Sequence, residues 1–464
     1  MCDIDPPTPA EGTSTIREFI EDLRDRGELA VVERSVDPRY ELAAVTRRFQ
    51  QTSEQALLFE SVQRTDMRVA TNLYGSHARL CRLIGSDGLF CRRWNELVHA
   101  PAPAGAALQP VETPSDRASG RLSDLPMITY HGKDAGPYIT SAIFLAKDPD
   151  TGVPNLSFHR SMVVSDDELR IRLGSSHDLA KYQSRAEARG EPLEAAMLIG
   201  TRPEIFLAAC ASPPTDVSEL DVAAKIAREP IGMYVCETID LEVPVGTEVV
   251  VEGRILPNVR RPEGPFGEFL GFYVPVSDNH VFEVQAVNWR DDAVWHALVC
   301  GTPEDLRPLE ALTAARIYAH VSNLIPGLID VSCRPNVLIT ILKIKKQYKG
   351  HGKHALLAAL GSHLDYNKVC IAVDEDVDIY DLDDVMWAYL ARGRADKRAM
   401  VLEDIPGFYR DPHQDHWGRL IIDATMPWGR EDEFQRKRVP GEESIDLADY
   451  VRSPDASPQA GTSE

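Results

Sequence analysis

EVVVEGRILPNVRRPEGPFGEFLG, Glu248 to Gly271, opens as a strand and ends as something else. Its first nine residues are rich in valine and isoleucine, the composition of a half-buried strand. Its second half sets two acids, Glu263 and Glu268, around Gly264, Pro265, Phe266 and Gly267. Proline and glycine break helices, so the two carboxylates do not share a helical face and sit instead on a stiff loop. Similar short strands recur on either side: YITSAIFLA (Tyr138–Ala146), SMVV (Ser161–Val164), AAMLIG (Ala195–Gly200), HVFEVQAVNW (His280–Trp289) and VWHALVC (Val294–Cys300). Only two helical patterns interrupt them, HDLAKYQSRAEA (His177–Ala188) and SELDVAAKIA (Ser218–Ala227). Many short strands with few helices predict a β-barrel-like or sandwich domain over residues 115–300.

The flanks read differently. In TIREFIEDLRDRGELAVVER, Thr15 and Glu18 have capping-box spacing, while Ile16, Phe19, Ile20 and Leu23 form a helical stripe that Gly27 ends. Strands follow in ELAVVER, ALLFESV and MRVATNLYG, so residues 1–105 predict a small α/β domain. HAPAPAGAALQPVETPSDRASG (His99–Gly120) reads as a linker. After Gly301, helical and strand patterns alternate from EDLRPLEALTAARIYAHVSNL to YDLDDVMWAYLA, which predicts an open α/β domain over 301–430. The apolar run His320–Ile344 is the expected oligomer interface, and residues 431–464 the expected charged, disordered tail. The fold class is thus a multidomain α+β or α/β chain.

Composition excludes several function classes. With 50 basic and 72 acidic residues the net charge is −22, which repels nucleic acid and anionic membranes. No tract is long and apolar enough for a bilayer span, and MCDIDPPTPAEGTST lacks the pattern of a signal peptide. Eight cysteines lie scattered without a CxxC pair, as expected of reduced thiols in a cytoplasm. There is no P-loop, no GxSxG and no GxGxxG after a strand.

Four runs in order carry a family resemblance: LPMITYHGKDAGPYITSAIFLAKDPDTGVPNLSFHRSMVV (Leu125–Val164), PEGPFGE (Pro262–Glu268), LKIKKQYKGHGKHAL (Leu342–Leu356) and DEDVDIYDLDDVMWAYLARGRADK (Asp374–Lys397). Together they resemble the UbiD family of prenylated-FMN-dependent decarboxylases, over almost the whole chain to about Gly429. The resemblance implies metal ligands at Asn155, His177 and Glu219, holding Mn²⁺ or Mg²⁺, with K⁺ as a further cation. Amide and carboxylate oxygens with one imidazole suit a hard divalent ion bridged to a phosphate. It also implies that prenylated FMN lies against Asn155, Leu156, Ser157, Phe158, His159, Arg160, Ser176, His177 and Glu219. Taken singly, each of the three ligands has an ordinary structural alternative, as a turn or helix-start residue. The lysine that some family members place against the phosphate falls near Gly361–Ser362, where no lysine stands.

By the same resemblance Arg160, Glu263 and Glu268 form a Glu–Arg–Glu network, with Glu263 paired to Arg160 and Glu268 the proton donor. Loss of CO₂ leaves a carbon that must be protonated, and a carboxylic acid beside it can supply the proton. A second acid tied to an arginine stays ionised, so like groups acquire different tasks. The implied reaction is reversible, non-oxidative decarboxylation of an α,β-unsaturated or aromatic acid. Two rivals remain open: a carboxylase running in reverse, and a non-catalytic flavin- or phosphate-binding subunit. Implied partners are the small-molecule acid, a flavin prenyltransferase supplying the cofactor, and further copies of the chain as a homodimer or larger homo-oligomer.

Overall fold

The computed structural model describes residues 15–103, 105–174, 177–211, 213–214, 216–362, 366–408, 416–446 and 450. Helix Ile16–Asp25 begins where Thr15 Oγ1 accepts the Glu18 amide at 3.2 Å, and the expected stripe Ile16, Phe19, Ile20 and Leu23 is buried. Strands Leu29–Val32, Ala56–Phe59 and Arg68–Thr71 form the adjoining sheet. Its fourth strand is Val294–His296, which returns from the far end of the central segment to pair in parallel with Arg68–Ala70. The N-terminal and central segments are therefore interlocked through one sheet.

The central segment is organised by a nine-stranded sheet whose spine is the antiparallel pair Val249–Glu263 and Ser277–Arg290. Register shifts at Glu252/Gly253 and Ile255/Arg260 bend this pair. Gly253 is required there, since a Cβ would lie 2.2 Å from the Glu283 carbonyl oxygen. Tyr138–Ile139 is one edge of the sheet, and Ile143–Lys147 with Pro154–Phe158 the other. Only Thr140, Ser141 and Ala142 separate the two edges in sequence, so the sheet curls until its ends approach one another. The expected barrel is nonetheless not closed by hydrogen bonds. Among the described residues no ladder joins the edges, and Thr140, Ser157 and Phe158 instead line a cavity there.

Two further expectations change. The presumed linker contains strands Leu108–Pro110, parallel to Ile231–Val235, and Arg117–Ser119, paired with Ser277–Arg290. Three-residue strands have too few alternations to register as periodicity, and distant partners hold them. The presumed tail begins as structure: Arg436 lies over the Trp387 ring at 3.9 Å and pairs with Asp384 at 2.6 Å. Residues 451–464 lie outside the described residues.

Helix Pro303–Ser322 leads into the last segment, a five-stranded sheet in the order Leu328–Ser332, Ile339–Ile344, Val369–Asp374, His416–Asp423, Ala399–Pro406. The three middle strands are parallel, as the strand–helix alternation predicted. Ile325, Val331, Ile341, Leu342 and Ile344 of the run expected to form an oligomer interface are core residues, whereas Leu324 in the same run is 58% exposed. Every described cysteine is a free thiol. No described helix is long and apolar enough to cross a membrane.

Candidate active site

Glu263 is the last residue of its long strand, and Glu268 follows the two-residue strand Phe266–Gly267, which pairs with Tyr273–Val274. The loop between them is pinned from one side. Asp134, fully buried, accepts the Gly267 amide at 2.8 Å through Oδ1 and the His131 amide at 2.8 Å through Oδ2. The Ala135 amide donates to the Pro265 carbonyl at 3.0 Å. Gly267 has no room for a side chain, since a Cβ would sit 2.5 Å from His131 Nδ1, and Gly264 adopts φ +97°.

Arg160 sits with His159 on the short connector between strands Pro154–Phe158 and Ser161–Ser165, immediately before the strand expected at Ser161–Val164. It binds both acids. Nε and Nη2 donate to Glu263 Oε1 and Oε2 at 3.1 and 3.0 Å, and Nη1 donates to Glu268 Oε2 at 2.7 Å. Its guanidinium lies over the Phe266 ring at 5.0 Å. The two acids differ in everything else. Glu263 is fully buried and also accepts from Tyr138 Oη at 3.0 Å and Asn279 Nδ2 at 2.9 Å. Four donor hydrogen bonds therefore converge on its two oxygens. Burial, with Glu263 beside it, keeps the Tyr138 hydroxyl well above its ordinary range, so it remains a donor. Glu268 instead opens on a cavity of about 230 Å³.

Asn155, on strand Pro154–Phe158, and Glu219, first residue of helix Glu219–Ala227, meet directly. Asn155 Nδ2 donates to Glu219 Oε1 at 3.1 Å, and the Leu156 amide donates to Oε2 at 2.9 Å. Burial pushes the Glu219 carboxyl up to about 7, with Asp178 adding and the bonds from the Leu156 amide and Asn155 opposing. His177 precedes helix Asp178–Ala188 and lines the same cavity, of about 500 Å³, together with Asn155 and Glu219. Ser157 Oγ lies 3.0 Å from Asn155 Oδ1 and 2.9 Å from His159 Nε2, whose other ring nitrogen bonds the Arg172 carbonyl at 3.1 Å. This donor set fits a hard divalent cation, and Lys181 and Arg316 on the cavity wall suit a phosphate beside it. Ser176 lies outside the described residues.

The two cavities are lobes of one cleft, sharing the walls made by Thr140, Phe158, His177 and Tyr366. The expected site residues thus gather on one side, between the curled sheet and helix Pro303–Ser322. Glu263 alone of the described ones lines neither lobe, being fully buried behind Arg160, while Leu156 adds its amide, which donates to Glu219. Aromatic rings of the last segment cover the smaller lobe: Phe408 stands 5.4 Å from Phe269 and 5.7 Å from Tyr366. Tyr138, Asn279, Asp134, Asp305 and Phe408 carried no individual signal in the sequence. Asp134 and Tyr138 did lie within the DAGPYIT run that carried the resemblance.

Family models cover nearly all of this architecture. The Rift-related domain of 3-octaprenyl-4-hydroxybenzoate carboxy-lyase matches residues 105–303, its N-terminal domain 20–97 and its C-terminal domain 308–424. Anhydromevalonate phosphate decarboxylase of Methanothermobacter thermautotrophicus is 33% identical over 433 residues, covering 91% of this chain and 99% of that one. Phenolic acid decarboxylase of Sedimentibacter hydroxybenzoicus is 30% identical over 438 residues, covering 89% and 91%. The UbiD-class enzyme HmfF from Pelotomaculum thermopropionicum, solved with FMN, superposes with a TM-score of 0.89 at 33% identity, covering 94% and 100%. An evolved dimeric form of that enzyme, solved with prFMN, gives 0.85 at 32% identity, covering 95% and 100%. All three segments of the chain thus match one group of decarboxylating enzymes: the chain belongs to the UbiD, or 3-octaprenyl-4-hydroxybenzoate carboxy-lyase, family, and it is a carboxy-lyase.

Proposed function

We propose that this chain is a prenylated-FMN-dependent decarboxylase of an α,β-unsaturated or aromatic carboxylic acid. The observation that carries the reading is Arg160 held between two buried acids, of which only Glu268 opens on the cavity. Prenylated FMN, when bound, supplies a conjugated ring system that activates the unsaturated carbon next to the carboxylate. Asn155, His177 and Glu219 would hold the divalent cation, Mn²⁺ or Mg²⁺, which would supply positive charge for the flavin phosphate. Glu263 keeps Arg160 in place, and Arg160 orients the reacting group. Glu268 delivers a proton to the carbon that CO₂ leaves, under a cover of Phe269, Tyr366 and Phe408 that keeps water out. Decarboxylation of the matching acid by protein co-produced with a flavin prenyltransferase tests the reading, with CO₂ release as the readout.

The metal assignment has its own test. Glu219→Ala and His177→Ala are each expected to give folded protein with little bound manganese and little flavin, since loss of one ligand weakens a cation site far more than a core. Metal analysis and the flavin absorbance of purified protein read this out. Wild-type metal content in either variant would remove that residue from the ligand set.

The chain is also read as a homo-oligomer. Leu382, Met386 and Leu390 recur every four residues along helix Leu382–Arg392 and are 41%, 39% and 77% exposed. An exposed apolar stripe of this kind is the usual mark of a protein–protein contact. Leu390→Glu is expected to lower the mass measured by light scattering toward that of one chain, with its circular dichroism unchanged.

A further inference from the structure

Asp305 is not used by the mechanism above, yet it lines both lobes of the cleft and shares the smaller one with Glu268 and Arg160. Acids in the first turn of a helix often serve only the helix. Its neighbour Glu304 does serve structure: its carboxylate accepts the Asn72 amide and the Leu73 amide at 2.7 Å, and lies 2.9 Å from His296 Nε2. Asp305 is less fully engaged. Oδ2 accepts the Gly301 amide at 2.7 Å, and the Cys300 thiol adds a weak donor. A carboxylate has about four acceptor positions, so at least one remains for whatever fills the cavity. Burial pushes the Asp305 carboxyl up to about 6, with Glu268 and Glu304 adding, which leaves it an ionised acceptor at neutral pH.

The walls around it combine aromatic rings with the charged or polar side chains of His159, Arg160, Arg172, His177 and Glu268. Phe266, Phe269 and Phe408 line the same lobe, and Tyr366 and Thr140 add hydroxyl groups. Aromatic rings in the wall suit a planar conjugated skeleton, and a carboxylate with an acceptor position left over suits a partner that donates. We infer that Asp305 is a specificity-determining residue: it accepts a hydrogen bond from an N–H or O–H on the conjugated skeleton of the acid. The inference rests on the decarboxylase reading and narrows its substrate class to conjugated acids that carry a donor away from the carboxylate. The site explains the preference as well, since an acid without the donor leaves an ionised carboxylate buried against carbon.

The test uses flavin-loaded protein and pairs of acids matched in shape: pyrrole-2-carboxylic against furan-2-carboxylic acid, and 4-hydroxycinnamic against 4-fluorocinnamic acid. Affinity is read from quenching of the flavin fluorescence, so it is measured whether or not an acid turns over. In the wild type the donor-bearing member of at least one pair is expected to bind about 10- to 100-fold more tightly, the usual worth of a hydrogen bond to a charged group. Asp305→Ala should bring that pair to nearly equal affinity while flavin content and the affinity for the donor-free acid stay put. Asp305→Asn keeps an acceptor oxygen in the same shape and should retain part of the preference, which separates a lost hydrogen bond from a lost fold. Equal affinities in the wild type for both pairs, or a preference that survives Asp305→Ala, overturn the inference. CO₂ release is followed in parallel: its absence with every acid counts against the decarboxylase reading and leaves the affinity comparison intact.

Discussion

Glu268→Gln should lower turnover by roughly 10²–10⁴-fold, the range of a lost general acid, with flavin and metal content at wild-type levels. The amide keeps the shape of the side chain, and its carbonyl oxygen still accepts from Arg160 Nη1, which lies 2.7 Å from Glu268 Oε2. What it lacks is a proton to give. Glu268 lines the smaller lobe and the Asn155–Glu219 pair the larger one, so the proposed cation and phosphate end of the cleft is expected to stay as it is. Measured under one reconstitution protocol, the rate should fall while the flavin absorption spectrum stays the same. A variant that keeps most of its activity would end the proton-donor assignment.

The second large effect belongs to the other half of the network, and it should differ in kind. Glu263 accepts four hydrogen bonds, from Arg160 Nε and Nη2, Tyr138 Oη and Asn279 Nδ2, with no exposed surface. Glu263→Gln puts an NH₂ group against at least two of those donors, and it leaves Arg160 short of a counter-charge. Arg160→Leu removes three hydrogen bonds from two buried carboxylates at once. Breaking a buried ion pair from one side costs about 3–5 kcal/mol. Both variants should therefore melt at lower temperature, take up flavin poorly and show an altered flavin spectrum, besides losing activity. Thermal unfolding of Glu268→Gln beside Glu263→Gln makes the contrast directly: the second, which loses the more heavily bonded acid, should move further. Equal melting temperatures for wild type and Glu263→Gln would show that Glu263 is not the structural anchor of the network.

How much of this was legible beforehand follows from the reach of each interaction. Helix Ile16–Asp25 and the strand–helix alternation after Gly301 rest on local periodicity and capping, and the structure has them where the sequence put them. Strands Leu108–Pro110 and Arg117–Ser119 exist only because distant partners complete them, so the segment read as a linker. The site divides the same way. Two acids on a glycine–proline loop were visible as an oddity, but their partner Arg160 stands more than a hundred residues away. Asn155 and Glu219 have no spacing that local chemistry could recognise, and only the family resemblance grouped them with His177. Asp305 looked like any first-turn acid, since the cavity it faces is assembled from residues of the central and last segments that lie far apart in sequence.

The return of Val294–His296 to the first sheet also bears on how the chain comes off the ribosome. The strand it joins ends at Thr71, so the fourth strand is translated roughly 220 residues later, on the order of ten to forty seconds at ordinary rates of synthesis. Through that interval the open side of Arg68–Thr71 is an unpaired edge, the kind of surface that recruits the wrong strand. A nascent chain stalled before residue 294 should therefore engage chaperones, whereas one released just beyond it can finish the sheet by itself. Expression of the first hundred residues as an isolated piece would leave the same edge permanently open, so the family's N-terminal segment is a unit of sequence and not a unit of folding.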